Sequence, residues 1–464
     1  MTQPMAPEEI DGNARYLPPP VECELGLEIY ATSTRGVPGV LKLDAGDFRV
    51  GEISAYPVPA VEGPFTILRL QSRDWEQHEL AEAIARRLGL SRNALRWAGT
   101  KDRRAVSEKL VSYRGAPPPP DFAISQVTVL EAYRARDGLT LGHHYGNSFD
   151  ICIRGIDPDD ARMLGGLRAT AAELIPLGGV PNFFGLQRFG EVRPITHRVG
   201  QLLVRGDVES AVDQYLTFVE DGSDEVGDRA RESFAEHRDS KRALNEFPRE
   251  YRFERAILER LAEGQSPTRA LGVLSRDLRR LFVHAYQSRL FNRWLSRRWR
   301  AGLSFERPVI GDFVIRYAPD GTLRASTTAL VESDNLAECS ELTERGRALI
   351  AGPLLGFETP SLTGKGGQLF EDILREEGVS RDNFRLPRTP EIASPGSWRA
   401  IRLPTPPIGI SAEGSPNAPA ERTEASRSLH LKFALPKGAY ATVVLREFLK
   451  TGAMLAPPPA SRPR

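Results

Sequence analysis

The sequence predicts an α+β protein of two or more domains, on three observations. Its 464 residues exceed the roughly 250–300 at which a single hydrophobic core stops growing. Strand-like text precedes and follows a long middle region. That middle, from about Ile195 to Trp299, is charge-rich with helical spacing. No repeat of fixed period is present, which removes solenoids and propellers. With 40% hydrophobic and 27% charged residues, the composition is that of a globular chain rather than a disordered one.

Each element has its own signal. After a loose beginning through Pro18-Pro19-Pro20, strands are expected at Phe48 to Ile53 and Phe65 to Leu70. Leu80, Ile84 and Leu88 recur every four residues within Glu79 to Leu88, which places them on one helix face. Leu95, Trp97 and Ala98 form a strand-like run ending in a tight turn at Gly99. Ala116 to Pro120 is a stiff extended connection. Phe149, Ile151 and Ile153 alternate with Asp150, Cys152 and Arg154, the period of a half-buried strand. Asp157-Pro158 opens a helix to about Ile175, and Gly178-Gly179 breaks the chain before Asn182. Beyond the helical middle, short strands such as Phe313-Val314-Ile315 are expected. Ile392 to Pro419 reads as a linker or an irregular return, and Pro457 to Arg464 as disordered.

Lys and Arg total 62 against 61 Asp and Glu, a net charge of +1. A nucleic-acid binder with that balance needs its cations gathered on one face. Arg276, Arg279, Arg280, Arg289, Arg293, Arg297, Arg298 and Arg300 crowd one segment with Trp294 and Trp299, while acidic runs sit at Glu220–Glu225 and Glu332–Asp334. The segment is either an RNA-gripping face or a solvated helix face with Leu274, Leu278, Leu281 and Ala285 buried behind it. Cys23, Cys152 and Cys339 are three and scattered, which opposes a disulfide framework or zinc site and fits a reducing compartment. The acidic start, Met1 to Asp11, lacks the pattern of a secretory signal. No run approaches the roughly 18 apolar residues of a membrane span. A soluble, cytoplasmic protein is expected.

The stretch Ala94 to Ser107 sets Asp102 among Lys101, Arg103 and Arg104. Cations within about 4–6 Å hold a carboxylate ionised, which suits a nucleophile or ion-pair member rather than a proton-transfer acid. The alternative is a solvated surface network worth at most about 1 kcal/mol per pair.

Gly99-x-Lys101-Asp102-Arg103-x-Ala105 resembles the catalytic loop of the TruD family of RNA pseudouridine synthases. Ser107 stands where that family commonly has threonine, and Lys109 where it commonly has glutamine. Further matches follow in order: Leu41-Lys42 ahead of Asp47-Phe48-Arg49-Val50, Gly142 to Phe149, Pro181 to Gly190, and Phe433 to Thr442 with Leu445-Arg446-Glu447. Between them only Tyr286-Gln287-Ser288 and Leu290-Phe291-Asn292 match.

The resemblance implies a pseudouridine-synthase-type mixed, mainly antiparallel sheet flanked by helices, with a large inserted α+β domain. It divides the chain into a discontinuous catalytic domain, 1–190 and 396–464, and an inserted TRUD domain, 191–395. It implies an isomerase that converts uridine to pseudouridine, at uridine 13 of transfer RNA, with other RNAs open as substrates and no obligate protein partner evident. Asp102 would be the nucleophile, with Lys42, Arg103, Asn147 and Phe149 at the substrate and Lys101, Gln187 and Arg188 as candidate RNA contacts. The isomerisation oxidises nothing and carries no group away, so no metal or organic cofactor is required. The chain holds no GxxxxGK, paired-cysteine zinc spacing or His-Glu-x-x-His.

Plainer readings stand beside these. Phe149 reads equally as core, Asn147 after Gly146 as a turn residue, Lys42 as a surface lysine, and Gln187-Arg188 as phosphate-binding or junction packing. His143-His144 as a metal pair, which would make the chain a hydrolase, is opposed by the opposite directions of neighbouring strand side chains. The rival function is an RNA-binding protein of the same fold without catalysis.

Overall fold

The computed structural model describes residues 16–99, 101–155, 161–190, 193–220, 225–318, 321–413, 428–450 and 454–455. The expectations for Met1 to Asp11, the start of the helix at Asp157-Pro158, most of the 220–225 acidic run, the 414–419 part of the proposed linker, and the 457–464 tail lie outside those residues. The chain forms two compact units. One gathers Tyr30–Val180 with the chain from Leu403 onward, and the other gathers Pro18–Ile29 with Pro181–Arg402.

In the first unit, seven strands come from the N-terminal half: β1 (Val40–Leu41), β2 (Phe48–Ile53), β3 (Phe65–Arg73), β4 (Arg96–Trp97), β5 (Val106–Arg114), β6 (Val127–Ala135) and β7 (Gly146–Arg154). The sheet runs in the order Gly409–Glu413, Ser428–Pro436, β7, β2, β5, β3, β6. Along this path only the β2–β5 pair is parallel. Phe48 and Val50 turn inward and Arg49 outward, the alternation expected of a strand with one covered face. β3 runs three residues past the expected Leu70 because it pairs with β5 as far as Arg73–Val106.

The helix Gln77–Leu88 lays Leu80, Ala81, Ile84 and Ala85 on Leu68, Leu70, Val111 and Tyr113. Full burial of each such Leu or Ile contributes about 1.5–3 kcal/mol. The Glu76 carboxylate caps its first amides, and Gly89 ends it at φ +64°.

The second unit holds seven consecutive helices from Thr196–Val204 to Arg276–Arg300, and a four-stranded antiparallel sheet. In that sheet Ser397–Ala400 pairs with Ala348–Leu354, and in the first unit Gly409–Glu413 pairs with Ser428–Pro436. The supposed linker beginning at Ile392 therefore contains strands. Its Pro and Ser content gave no local sign of them, because the pairing partners are distant in sequence. The units change at Val180/Pro181 and Arg402/Leu403 rather than at 190/191 and 395/396. Asn182 explains part of the shift: its amide donates to the Ala400 carbonyl at 2.8 Å and its side-chain oxygen accepts from Arg399 at 2.6 Å.

The arginine-rich segment forms one 25-residue helix, Arg276–Arg300. Arg289 and Arg293 pair with Glu377, Arg293 and Arg297 with Glu376, Arg279 with Glu391, Arg300 with Glu28, and the buried Arg298 with Asp312 at 2.6 Å. Arg279, Arg289, Arg293, Arg297, Arg298 and Arg300 are thus held by carboxylates, which leaves less of their charge for phosphate. Tyr286, Gln287, Ser288, Leu290, Phe291 and Asn292, which span most of the helix's circumference, are buried. Asn292 there accepts from the Phe184 amide at 2.8 Å and donates to the Phe184 carbonyl at 3.0 Å.

Candidate active site

The described residues between β4 and β5, 98–99 and 101–105, are tied down at several points. The Gly142 amide donates to the Ala98 carbonyl at 2.7 Å and the Asp74 amide to the Ala105 carbonyl at 3.1 Å. Arg104 donates to the Leu43 carbonyl at 2.8 Å. Gly99 lies against the His144 ring: a β-carbon there would stand 2.9 Å from its Cε1. Glycine at 99 avoids that close approach, whereas the sequence reading expected it there for a tight turn.

Asp102 receives the Lys42 ammonium at 2.8 Å, with side-chain exposures of 36% and 8% respectively. Lys42 sits just after β1 with φ +54°, a left-handed conformation costly for a side chain with a β-carbon and held by its surroundings. Its ammonium also lies 4.3 Å from the centre of the Phe48 ring. The two carboxylates nearest in sequence are engaged elsewhere, Asp44 with Arg73 at 2.6 Å and Asp47 with Arg154 at 2.6 Å. Lys42 is thus left for Asp102. The expected crowd of sequence-neighbouring cations is corrected by this geometry, because the loop turns them apart: Lys101 points to Glu52, Arg104 to Leu43, and Arg103 to solvent.

Arg103 is exposed and makes no ion pair among the described residues. Asn147 stands on β7 opposite Glu52 of β2. Phe149 is almost wholly covered, its ring stacked on Phe433 at 5.4 Å and edge-on to Phe48 at 6.0 Å. Lys101, expected as an RNA contact, is instead buried: its side chain is 3% exposed and its ammonium meets Glu52 at 3.1 Å. Gln187 and Arg188 lie in the second unit, where Arg188 donates to Ser288 at 3.2 Å and rests over Phe184. His143 is exposed and His144 buried, and both lie in a loop rather than a strand.

The residue that sequence reading missed is Glu52. It occupies an inward position of β2, where Phe48 and Val50 set the apolar alternation, so a carboxylate at the third inward position was the available signal. Burial pushes its carboxyl up, opposed first by the Lys101 charge. Lys109, also fully covered, is pushed down to about 8 by burial and then by Lys101, and donates to the Gln77 side-chain oxygen at 3.1 Å. Burial, then Lys101 and Lys437, push His144 down to about 4, so its ring is a neutral support near pH 7. Among the described residues, no group of three or more His, Cys, Asp or Glu is arranged to hold a metal ion, and no helix is long and apolar enough to cross a membrane.

The family model for tRNA pseudouridine synthase D (TruD) matches residues 24–448. A Halobacterium salinarum protein named "Probable tRNA pseudouridine synthase D" is 38% identical over 447 residues, covering 93% of this chain and 98% of its own. A Natronomonas pharaonis protein of the same name is 39% identical over 447 residues, covering 93% of this chain and 97% of its own. The solved structure named for tRNA pseudouridine synthase D (TruD) from Methanosarcina mazei superposes with a TM-score of 0.82 at 34% identity, covering 93% of this chain and 98% of that one. A loop built around one half-exposed, lysine-paired aspartate and a match running through nearly all of the chain lead to one conclusion: the chain belongs to the TruD family of tRNA pseudouridine synthases, enzymes of the isomerase class.

Proposed function

We propose that this chain converts uridine 13 of transfer RNA to pseudouridine, with Asp102 as the nucleophile. The observation that carries the reading is the Lys42–Asp102 pair at 2.8 Å, with the aspartate half open to solvent and the lysine covered. A fixed ammonium favours the ionised carboxylate, and an ionised, reachable oxygen can attack C1′ of a ribose. As the Asp102–C1′ bond forms, the C1′–N1 bond breaks and the uracil leaves with the electron pair. The ring turns over, C5 attacks C1′, and the aspartate departs as a carboxylate. Loss of the C5 proton and gain of one at N1 restore the uracil, so atoms and charge balance without a cofactor.

Reaching C1′ requires the nucleotide to leave its stack, at a cost of a few kcal/mol. Exposed Arg103 is the side chain suited to occupy the vacated space or to hold phosphate. Phe149, packed between Phe48 and Phe433, supports the floor of the site and offers the base little more than an edge. Asn147 supplies hydrogen bonds to the base edge.

The test is Asp102→Asn with a transfer-RNA transcript, read by mass spectrometry of position 13. Product should fall below detection while transcript affinity stays within about threefold of the parent. A parent enzyme that modifies the transcript elsewhere, or an unchanged yield from the variant, overturns the reading. A parent that binds the transcript and never yields pseudouridine favours a binding protein of the same fold.

A further inference from the structure

Beneath the loop bearing Asp102 lies a carboxylate to which the reaction above gives no part. Glu52 is 1% exposed at its side chain, and one of its oxygens, Oε2, meets the equally covered Lys101 ammonium at 3.1 Å. Its other oxygen, Oε1, is buried and makes no hydrogen bond of good geometry among the described residues, although the Leu110 amide lies near enough to the carboxylate to favour its charge. Across the β2–β7 ladder, Glu52 is in register with Asn147, whose side-chain oxygen is likewise buried and unpartnered. Directly opposed residues project from the same face with Cβ atoms about 4.5–5.5 Å apart. Two unpartnered acceptors at that spacing are unfavourable. Turning the Asn147 carboxamide by 180° would instead set its NH₂, a donor, on the buried side it shares with Glu52 and free its oxygen, since the two ends of such a group are told apart only by their hydrogen bonds.

We propose that Glu52 is the positioning residue of this site: one oxygen anchors Lys101 so that Asp102 emerges beside Lys42, and the other holds the Asn147 amide so that its carbonyl oxygen accepts from the uracil N3–H. The inference rests on the proposed chemistry at Asp102. Side chains 101, 102 and 103 leave the loop inward, toward Lys42 and outward in turn, so an inward anchor at 101 fixes the direction of 102. Burial raises the Glu52 carboxyl, and Lys101 and Lys109 are the cations that oppose it, while burial and then Lys101 and Lys437 keep His144 neutral. The N3–H donor is present in uracil and absent from cytosine, so the same carboxylate would serve base selection as well as alignment.

The experiment compares Glu52→Gln, Lys101→Met and the Glu52→Gln/Lys101→Met double variant with the parent on one transfer-RNA transcript. The double variant guards against misfolding, because it removes both buried charges together. Each single variant should lower kcat by about tenfold or more with KM within about threefold, and the double should be no worse than the poorer single, since the two act as a unit. A merely structural role would lower the folded fraction and RNA affinity together and leave kcat per folded molecule unchanged. The proposal is overturned if the folded double variant keeps the parental kcat. Asp102→Asn, run in parallel, separates this from the underlying reading: if it still makes product, the chemistry assigned to Asp102 fails instead.

Discussion

Lys109 carries the clearest residue-scale consequence of burial. Its ammonium is sealed against Gln77 with its pKa pushed from 10.5 down to about 8 by burial and then by Lys101. The folded protein therefore binds this proton more weakly than the unfolded chain. Below about pH 8 both states are protonated and the full desolvation cost is present. Between about 8 and 10.5 the unfolded chain holds more protons, so stability rises with pH, and above that range the cost is gone. Lys109→Gln should accordingly raise unfolding stability by about 3 kcal/mol at pH 7, with the gain vanishing toward pH 10.5. Chemical denaturation of both proteins at several pH values checks this, and a gain independent of pH would contradict it. Asp102 gives the complementary lesson. The sequence placed it among the neighbouring Lys101, Arg103 and Arg104, yet its counter-charge comes from Lys42, 60 positions away, and not from those neighbours.

At the scale of elements, the helix Arg276–Arg300 shows how one sequence feature admits two outcomes. Arginine spacing alone fits either an open basic face or a helix stitched to its surroundings, and the decision rests on Glu376, Glu377, Glu391 and Asp312, which arrive from other elements. Arg298 is the extreme case, wholly buried, with two contacts to Asp312 at 2.6 and 2.8 Å and one to the Ser304 carbonyl at 2.8 Å. Arg298→Met leaves Asp312 buried without its cation and should cost about 3–5 kcal/mol, most of it recovered by adding Asp312→Leu. Thermal or urea unfolding of the single and double variants measures the difference. Strands were legible where one face is covered, as in β2 and β7, because the two-residue period is then written in the side chains. They were illegible in 397–413, where pairing with other segments rather than side-chain alternation creates the strands.

At the scale of the whole molecule, a net charge of +1 leaves few cations to spare for RNA, and the ion pairs along the arginine-rich helix consume several of them. Arg297→Gln should therefore leave transfer-RNA affinity within about twofold and the salt dependence of binding unchanged. Binding measured at two salt concentrations checks this. A weakening of about tenfold with a shallower salt slope would mean that the helix contacts phosphate after all. The sequence by itself determined the α+β class, the main strands and helices of the first unit, the family, and Asp102 with Lys42 as candidates, because periodicity and short motifs are local or are preserved as strings. The tertiary structure alone decided that Lys101 turns inward to a buried Glu52, that Phe149 is packed into an aromatic row, and which arginines of the long helix meet carboxylates. Those outcomes depend on which side of each residue is covered and what charge meets it there, and both are set by segments far away along the chain.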